Sequence, residues 1–496
     1  MQTLDLVIIF GYLIGITAFG IWYAGKQETT EDYFVGDRSV PWWAIAMSIV
    51  ATETSTITFI SVPGIAFAKG GNFQFLQLVF GYMLGRVVIS LVFIPLYFKG
   101  ELQTVYQLLG DRFGGKVKML ASGLFVIMRN IADGIRLLLT AIVLAAVYTA
   151  FNPQTSQEVV IIGSILILGV VMIIFTFYGG MEAVIWIEVV QLVIYIGGAI
   201  AAAVVLLQNI DGGISGAIAA GQQFDKFSLF DFTLDFTKTY TFWGGVIGGC
   251  FLTMSTHGTD QFLVQRYLCT DKPQAAITAL MTSGAVVLGQ FIGFLFIGVL
   301  LFAYYAPYNM EGYANATGAF PFTGGDKVFP DFITQKMPTG LSGLVVAAIF
   351  AAALSSSLNS IAATAVNDIY KPYAKDRSDR HLMKVAGLLT VIVGIAQIAI
   401  AVSLRNANSS ALGMALSVAS LINGPILGVF LVGAFLKGAR EVHALLGMLA
   451  SIAVMLYVLL GTKIAWPWYA LLGSTVTVSV AFIATLIIRK KDENPH

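Results

Sequence analysis

Trp42-Trp43-Ala44-Ile45-Ala46-Met47-Ser48-Ile49-Val50-Ala51-Thr52-Glu53-Thr54-Ser55-Thr56-Ile57-Thr58-Phe59-Ile60-Ser61-Val62-Pro63-Gly64 opens an apolar block that continues to Ala68. At 27 residues, the block from 42 to 68 is long enough to cross about 30 Å of hydrocarbon, which takes about 20 residues of helix. Its middle is wrong for an uninterrupted helix. Six hydroxyl side chains fall between Thr52 and Ser61, most of them on β-branched threonines that crowd the preceding turn and compete for backbone hydrogen bonds. Pro63 accounts for a kink but not for six hydroxyls upstream of it. The spacing therefore predicts a span that unwinds at mid-membrane around 51–58. Backbone exposed at that depth is tolerated only where protein or a cavity satisfies it.

Outward from this block the chain keeps the same character. Of its 496 residues 57% are hydrophobic and 11% charged, against about 25% charged in ordinary soluble proteins. Twenty-eight basic and 27 acidic residues cannot cover several soluble surfaces, so a soluble enzyme is excluded. The formal net charge of +1 offers no basic face for nucleic acid. Cys250 and Cys269 both lie in or beside apolar stretches, which provides neither a disulfide framework nor a thiolate metal site. The first apolar block, 4–24, lacks the basic start of a secretory signal and exceeds its roughly 7–15 apolar residues, so it reads as a membrane span.

About thirteen such spans follow one another: 4–24, 42–68, 73–98, 117–150, 159–178, 184–208, 241–265, 275–306, 340–368, 382–404, 411–436, 441–461 and 466–488. They leave no soluble domain, so residues 1–496 are expected to form a single transmembrane unit. With the N-terminus outside, 18 of the 28 Lys and Arg fall in inner loops, seven in outer loops, and Arg86, Arg129 and Arg136 within spans. Because basic residues favour cytoplasmic loops, this expectation places the C-terminus, after Arg489-Lys490-Lys491, in the cytoplasm of a cell (inner or plasma) membrane protein.

Span 241–265 is expected to be broken as well. Gly244, Gly245, Gly248, Gly249 and Gly258 surround Ser255, Thr256, His257, Thr259 and Asp260. Five spans run from the first break (42–208) and five from the second (241–436), with one before and two after (441–488). Paired interruptions in corresponding halves point to a 5+5 inverted repeat with a binding site between the halves. Helix number alone also fits an ion channel or an ion-translocating respiratory subunit. The second would need lysines at the centres of spans, which the sequence lacks. A channel is separable by flux measurements. No zincin, triad or phosphate-loop pattern occurs, so an enzyme is not expected.

Four segments carry a resemblance. They are Asp-Tyr-Phe-Val-Gly-Asp-Arg-Ser-Val-Pro-Trp-Trp (32–43), Tyr-Gly-Gly-Met-Glu-Ala-Val-Ile-Trp-Ile-Glu-Val-Val-Gln (178–191), Gly-Thr-Asp-Gln-Phe-Leu-Val-Gln-Arg-Tyr-Leu (258–268) and Gly-Leu-Ser-Gly-Leu-Val-Val-Ala-Ala-Ile-Phe-Ala-Ala-Ala-Leu-Ser-Ser (340–356). Together they resemble the sodium:solute symporter family over nearly the whole chain. The resemblance implies a leucine-transporter-type fold, sodium as coupling ion and a small-molecule solute as cargo, with the lipid bilayer as surroundings and neither an organic cofactor nor an obligate protein partner. It assigns sodium to Ala51 and Thr54 on the first broken helix and to Ala352, Ser355 and Ser356. Hydroxyls and freed carbonyls suit a hard cation without adding buried charge.

Two departures accompany it. The chain is about three residues short between Ser356 and Asn359-Ser360, so an alignment from downstream would move the serine pair to Ala352 and Ala353; the upstream register is the longer match. Glu188 stands where the family carries Asp, which leaves an auxiliary sodium site of Glu188, Ser355 and Ser356 open. Without the resemblance, the serine run reads first as small residues for close helix packing.

The solute pocket is expected, by resemblance to sodium/sialic acid rather than sodium/sugar symporters, at Ser55, Thr58, Asn72, Phe73, Gln77 and Arg136. Charged groups inside spans are costly and mark functional sites. Arg129, Asp133 and Arg136 share one helical face, so Asp133 can neutralise one arginine and not both. The reading assigns Arg129 to an ion-paired strut and Arg136 to an anionic solute such as a carboxylate-bearing sugar. The alternative pairs Arg136 with Asp133 and leaves a pocket for a neutral, glucose- or galactose-like sugar. Arg86 with Glu53 is read as a structural pair, His257 as a hydrogen-bonding core residue, and Asp260 as an anchor of the second break.

Overall fold

The computed structural model describes residues 2–23, 29–54, 56–100, 102–152, 154–305, 322, 325–353, 357–374, 377–406 and 421–492. Among them there is no sheet, only one isolated antiparallel bridge between Ser39 and Thr270. Apolar residues recur without a polar face, so the helices are built for hydrocarbon: Trp22, Leu91 and Leu460 remain 76%, 73% and 74% exposed. Such an apolar belt is expected only where lipid replaces water.

The first helix, α1 (Thr3–Tyr23), precedes a short α2 (Thr30–Val35) and the broken span α3 (Trp42–Glu53) and α4 (Thr56–Phe67). The break is where the hydroxyl cluster predicts it. Thr54 leaves the helix with φ −84° and ψ 94°, and the flanking segments meet at 61°. Next come α5 (Leu76–Val92), α6 (Ile94–Tyr97), α7 (Gln107–Phe113), α8 (Gly115–Phe151) and α9 (Gln157–Gln208).

At 52 residues α9 would extend about 78 Å if straight, more than twice a bilayer core. Gly180 interrupts it with φ 58° and ψ −167°, a conformation open to glycine and closed to residues with a Cβ. The expected spans 159–178 and 184–208 are the two arms of this element.

After α10 (Gly213–Gln223) the second broken span begins with a π-helical turn, Gly244–Gly248, and continues as α11 (Gly249–Gly258) and α12 (Gln261–Tyr267). Its glycines are there for contact as well as bending. A Cβ on Gly81 of α5 would lie 2.3 Å from the Gly245 carbonyl oxygen, so the two backbones touch. The remaining helices are α13 (Pro273–Tyr305), α14 (Val328–Gln335), α15 (Leu341–Ala353), α16 (Leu358–Thr364), α17 (Asp379–Ser403), α18 (Asn423–Phe435), α19 (Glu441–Gly461) and α20 (Tyr469–Asp492).

Seven helices among the described residues are long and apolar enough to cross a membrane, or eight with α3 and α4 taken as one bent span. Spans 117–150, 241–265 and 340–368 fall outside that count for physical reasons. The first carries Arg129, Asp133 and Arg136, the second is interrupted at Thr259-Asp260, and the third is split between α15 and α16. Part of 411–436 lies outside the described residues.

The connection 209–240 is tied down at defined points. Lys226 Nζ donates to the carbonyls of Phe67 (3.0 Å) and Ala68 (2.6 Å), at the end of α4, and lies 4.6 Å over the Phe302 ring. A cation is favourable at a helix C-terminus, where unpaired carbonyls concentrate.

Candidate functional site

A cavity of about 470 Å³ lies between the two broken spans and α8. Thr58 and Ser61 of α4, Arg136 of α8, Thr256 of α11 and Asp260 line it, with Tyr240 and Trp466. The volume falls in the range of roughly 300–1,000 Å³ typical of small-molecule sites. Hydroxyls from one break, an acid from the other and an arginine from a third helix face one space.

The charged groups form one network. Arg129 Nε is 3.2 Å from Asp133 Oδ2, and its Nη1 is 3.5 Å from Asp260 Oδ2. Arg136 Nη1 is 3.8 Å from Asp133 Oδ1 and has no hydrogen-bond partner among the described residues. Asp133 is thus spent on Arg129 by hydrogen bonding and on Arg136 only by proximity. Asp133 Oδ2 also accepts the Ser357 hydroxyl, which joins the network to the serine run at the break between α15 and α16. The Arg129 guanidinium rests 3.8 Å over the Phe262 ring.

Asp260 holds the second break open. At φ −90° and ψ 120° it is the N-cap of α12, and its Oδ1 accepts the Phe262 amide at 2.9 Å. A carboxylate is favourable there because it satisfies an amide with no partner in its own helix and faces the positive end of the helix.

Two further ion pairs brace the cavity walls. Glu53 bonds Arg86 and accepts from His257 Nε2 at 3.0 Å, while Thr256 Oγ1 lies 3.0 Å from His257 Nδ1. Glu188 holds Arg266 through two contacts, 2.5 Å to Nη2 and 3.2 Å to Nε, and accepts the hydroxyls of Ser48 and Thr52. Its carboxylate, the one asked for by an auxiliary sodium site, is already compensated by a guanidinium.

The residues expected to bind sodium and solute are distributed as follows. Ala51 and Thr54 are buried at the end of α3. Thr54 Oγ1 donates to the Val50 carbonyl at 2.7 Å and accepts Gln290 Nε2 at 2.8 Å. Ala352 lies in the last turn of α15, and Ser355, Ser356 and Ser55 lie outside the described residues. Thr58 and Arg136 line the cavity together.

Asn72, Phe73 and Gln77 are not among its lining residues and are engaged by other partners. Asn72 Oδ1 accepts the Gln74 amide at 3.0 Å, the Phe73 ring packs 5.5 Å from that of Phe227, and Gln77 Oε1 accepts the Asp231 amide at 3.0 Å. The sequence reading left out Ser61, Tyr240 and Thr256 as lining residues, Asp260 as a partner of Arg129, and Ser357 as the bridge to Asp133. Ser61 and Thr256 had a signal as hydroxyls of the two breaks, Asp260 as the acid after Gly258-Thr259 and Ser357 as the third serine of a run, whereas Tyr240 had none.

Residues 33–451 match the model of the sodium:solute symporter family. The chain belongs to that family: it is a sodium-coupled, multi-pass membrane symporter and not an enzyme. It is 33% identical to the sodium/sialic acid symporter NanT of Aliivibrio fischeri, covering 97% of this chain and 92% of that one. It is 32% identical to the sodium/sialic acid symporter SiaT of Proteus mirabilis, over 96% of this chain and 93% of that one. A solved substrate-bound, outward-open structure of a Na+-coupled sialic acid symporter superimposes with a TM-score of 0.84 at 30% identity, covering 98% of each chain.

Proposed function

We propose that this symporter imports a carboxylate-bearing sugar such as sialic acid, with Arg136 as the group that holds the carboxylate. One observation carries the reading: within the 470 Å³ cavity, Arg136 Nη1 has no hydrogen-bond partner among the described residues, while Asp133 is bonded to Arg129 and Ser357. A guanidinium edge without a partner in a buried cavity suits a carboxylate, which it engages through two parallel hydrogen bonds. The sodium/sialic acid symporters among the relatives support the same solute class.

Ser55 and Thr58 supply hydroxyls to the solute, with Asn72, Phe73 and Gln77 closing the outer edge in a solute-bound conformation. Sodium takes its oxygens from Ala51, Thr54, Ala352, Ser355 and Ser356. The scaffold for this reading is a leucine-transporter-type, single transmembrane unit of thirteen helices, with 42–208 and 241–436 as inverted repeats. It sits in the cell membrane with the N-terminus outside and the C-terminus inside, and works without an obligate protein partner.

One sodium ion entering across about 100 mV releases about 2.3 kcal/mol, which the entry of a carboxylate cancels, so a single sodium leaves the about 1.4 kcal/mol of a tenfold gradient and about tenfold accumulation, and each further sodium ion adds both terms.

The test is sodium-driven uptake of radiolabelled sialic acid into proteoliposomes, with competition by uncharged sugars and by other carboxylates. Saturable uptake competed by carboxylates supports the reading. Saturable sodium-driven uptake of glucose or galactose without competition from sialic acid overturns it in favour of the neutral-sugar alternative.

A further inference from the structure

A second, smaller cavity of about 180 Å³ lies along α8 below Arg136, on the turns toward Gly115. Three residues, Arg129, Thr256 and Asp260, line both cavities, so the Arg129–Asp260 contact is the partition between them. Arg129 and Arg136 are seven residues apart on one helix, about 10 Å along its axis. The smaller space is polar in the manner of a binding site. Tyr106 is fully buried in its wall, and neither its hydroxyl nor Arg129 Nη2 has a hydrogen-bond partner among the described residues. Two buried donors without acceptors, one of them cationic, thus belong to residues that line this space together with the Asp260 carboxylate. Leaving such donors unmet is costly in a buried site, a cost a bound acceptor removes.

From this geometry we infer that the smaller cavity is an inner subsite for the solute's carboxylate, anchored by Arg129 and Tyr106, to which solute passes from Arg136 before release. The inference rests on the carboxylate reading and on the orientation proposed above, and it adds a second station to them. The partition is built to part. Arg129 Nη1 and Asp260 Oδ2 are 3.5 Å apart, well beyond the roughly 2.7–2.9 Å of a strong charge-assisted hydrogen bond. When Arg129 turns to a carboxylate, Asp260 keeps its bond to the Phe262 amide and Arg129 keeps its seat on the Phe262 ring. Charge is conserved through the step. Arg129 and Arg136 balance Asp133 and Asp260, so an arriving carboxylate is offset by the sodium ion that accompanies it. At 180 Å³ the space is smaller than a complete small-molecule site, so it takes the carboxylate end while the rest of the solute remains in the larger cavity.

The experiment measures sialic acid transport by full-length protein in oriented proteoliposomes, with solute offered from either face. Wild-type protein tests the underlying reading: no sodium-driven sialic acid transport overturns the carboxylate assignment itself. In transporting protein, Arg129→Gln is expected to raise KM at the inner face about tenfold or more, the loss of one charge-assisted bond, and to change KM at the outer face less than about twofold. Arg129→Lys should recover part of the inner-face affinity. Tyr106→Phe, which touches no ion pair, should raise inner-face KM about threefold. Equal KM changes at both faces, or a change in maximal rate alone, assign Arg129 to a strut or gate and overturn the subsite. If Arg129→Gln loses sodium-dependent thermal stabilisation, Tyr106→Phe decides, and an unchanged inner-face KM in it overturns the proposal.

Discussion

The two breaks are solved by opposite chemistry. The first, at Thr54, is made by β-branched hydroxyl residues, and Thr54 Oγ1 bonds back to the Val50 carbonyl of its own helix, a neutral partner for one carbonyl of the last turn. The second, at Thr259-Asp260, is made by glycines and finished by an acid that caps the next helix and reaches Arg129. A helix end with carbonyls unmet waits for a cation, whereas an end already capped by a carboxylate is a fixed hinge. Ion binding is therefore expected to depend on the first break and the serines proposed as its partners, and stability on the second.

The sharpest way to break that contrast is to remove the hydroxyls proposed to complete the sodium site at the first break. Ser355→Ala and Ser356→Ala are each expected to raise the sodium concentration for half-maximal uptake about tenfold or more, since the ion loses an oxygen it cannot replace from water. Unchanged sodium dependence in both would sink the site and favour the register that puts Ala352 and Ala353 there.

Arg136→Lys comes next. A point charge cannot reproduce two parallel hydrogen bonds, so solute affinity should fall about tenfold while sodium still raises the melting temperature in the absence of solute. Loss of the sodium effect as well would mean that Arg136 belongs to the ion path.

Asp260→Ala is expected to lower thermal stability by about 1 kcal/mol or more, as the α12 cap and one counter-ion of Arg129 disappear together, and Asp260→Asn to lose less because an amide oxygen still caps. A larger effect on sodium activation than on melting temperature would erase the distinction between the two breaks.

The smallest effect is positional. A cysteine placed at Asn315, in the 307–339 connection of the second half that is expected outside, should react with an impermeant maleimide in intact cells and leave transport unchanged. Labelling only after lysis would invert the sidedness assigned to both breaks and to the inner subsite.

Much of the fold was legible in the chain because hydrocarbon imposes one rule throughout: backbone groups must be satisfied within helices, so apolar length and its interruptions report the spans. The break at 51–58, the weak point at Thr259-Asp260 and the cost of arginines in a span follow from residue types in order. Orientation toward neighbours does not follow. Gln77 is in register for a pocket residue, yet its amide accepts from Asp231, 154 positions away. Glu188 could serve an ion by sequence, yet Arg266 and Ser48 enclose it.

The sequence by itself determined that this is a helical membrane protein, where two of its spans come apart, and which family's motifs it carries. Only the tertiary structure decided how the charges are divided. Asp133 goes to Arg129 and Ser357 rather than wholly to Arg136, and Asp260 closes a partition between two cavities. Helical spacing shows which groups share a face, but Ser357 and Asp260 reach that face from breaks in other helices. Coulombic pairing depends on distances of a few ångströms that only packing sets.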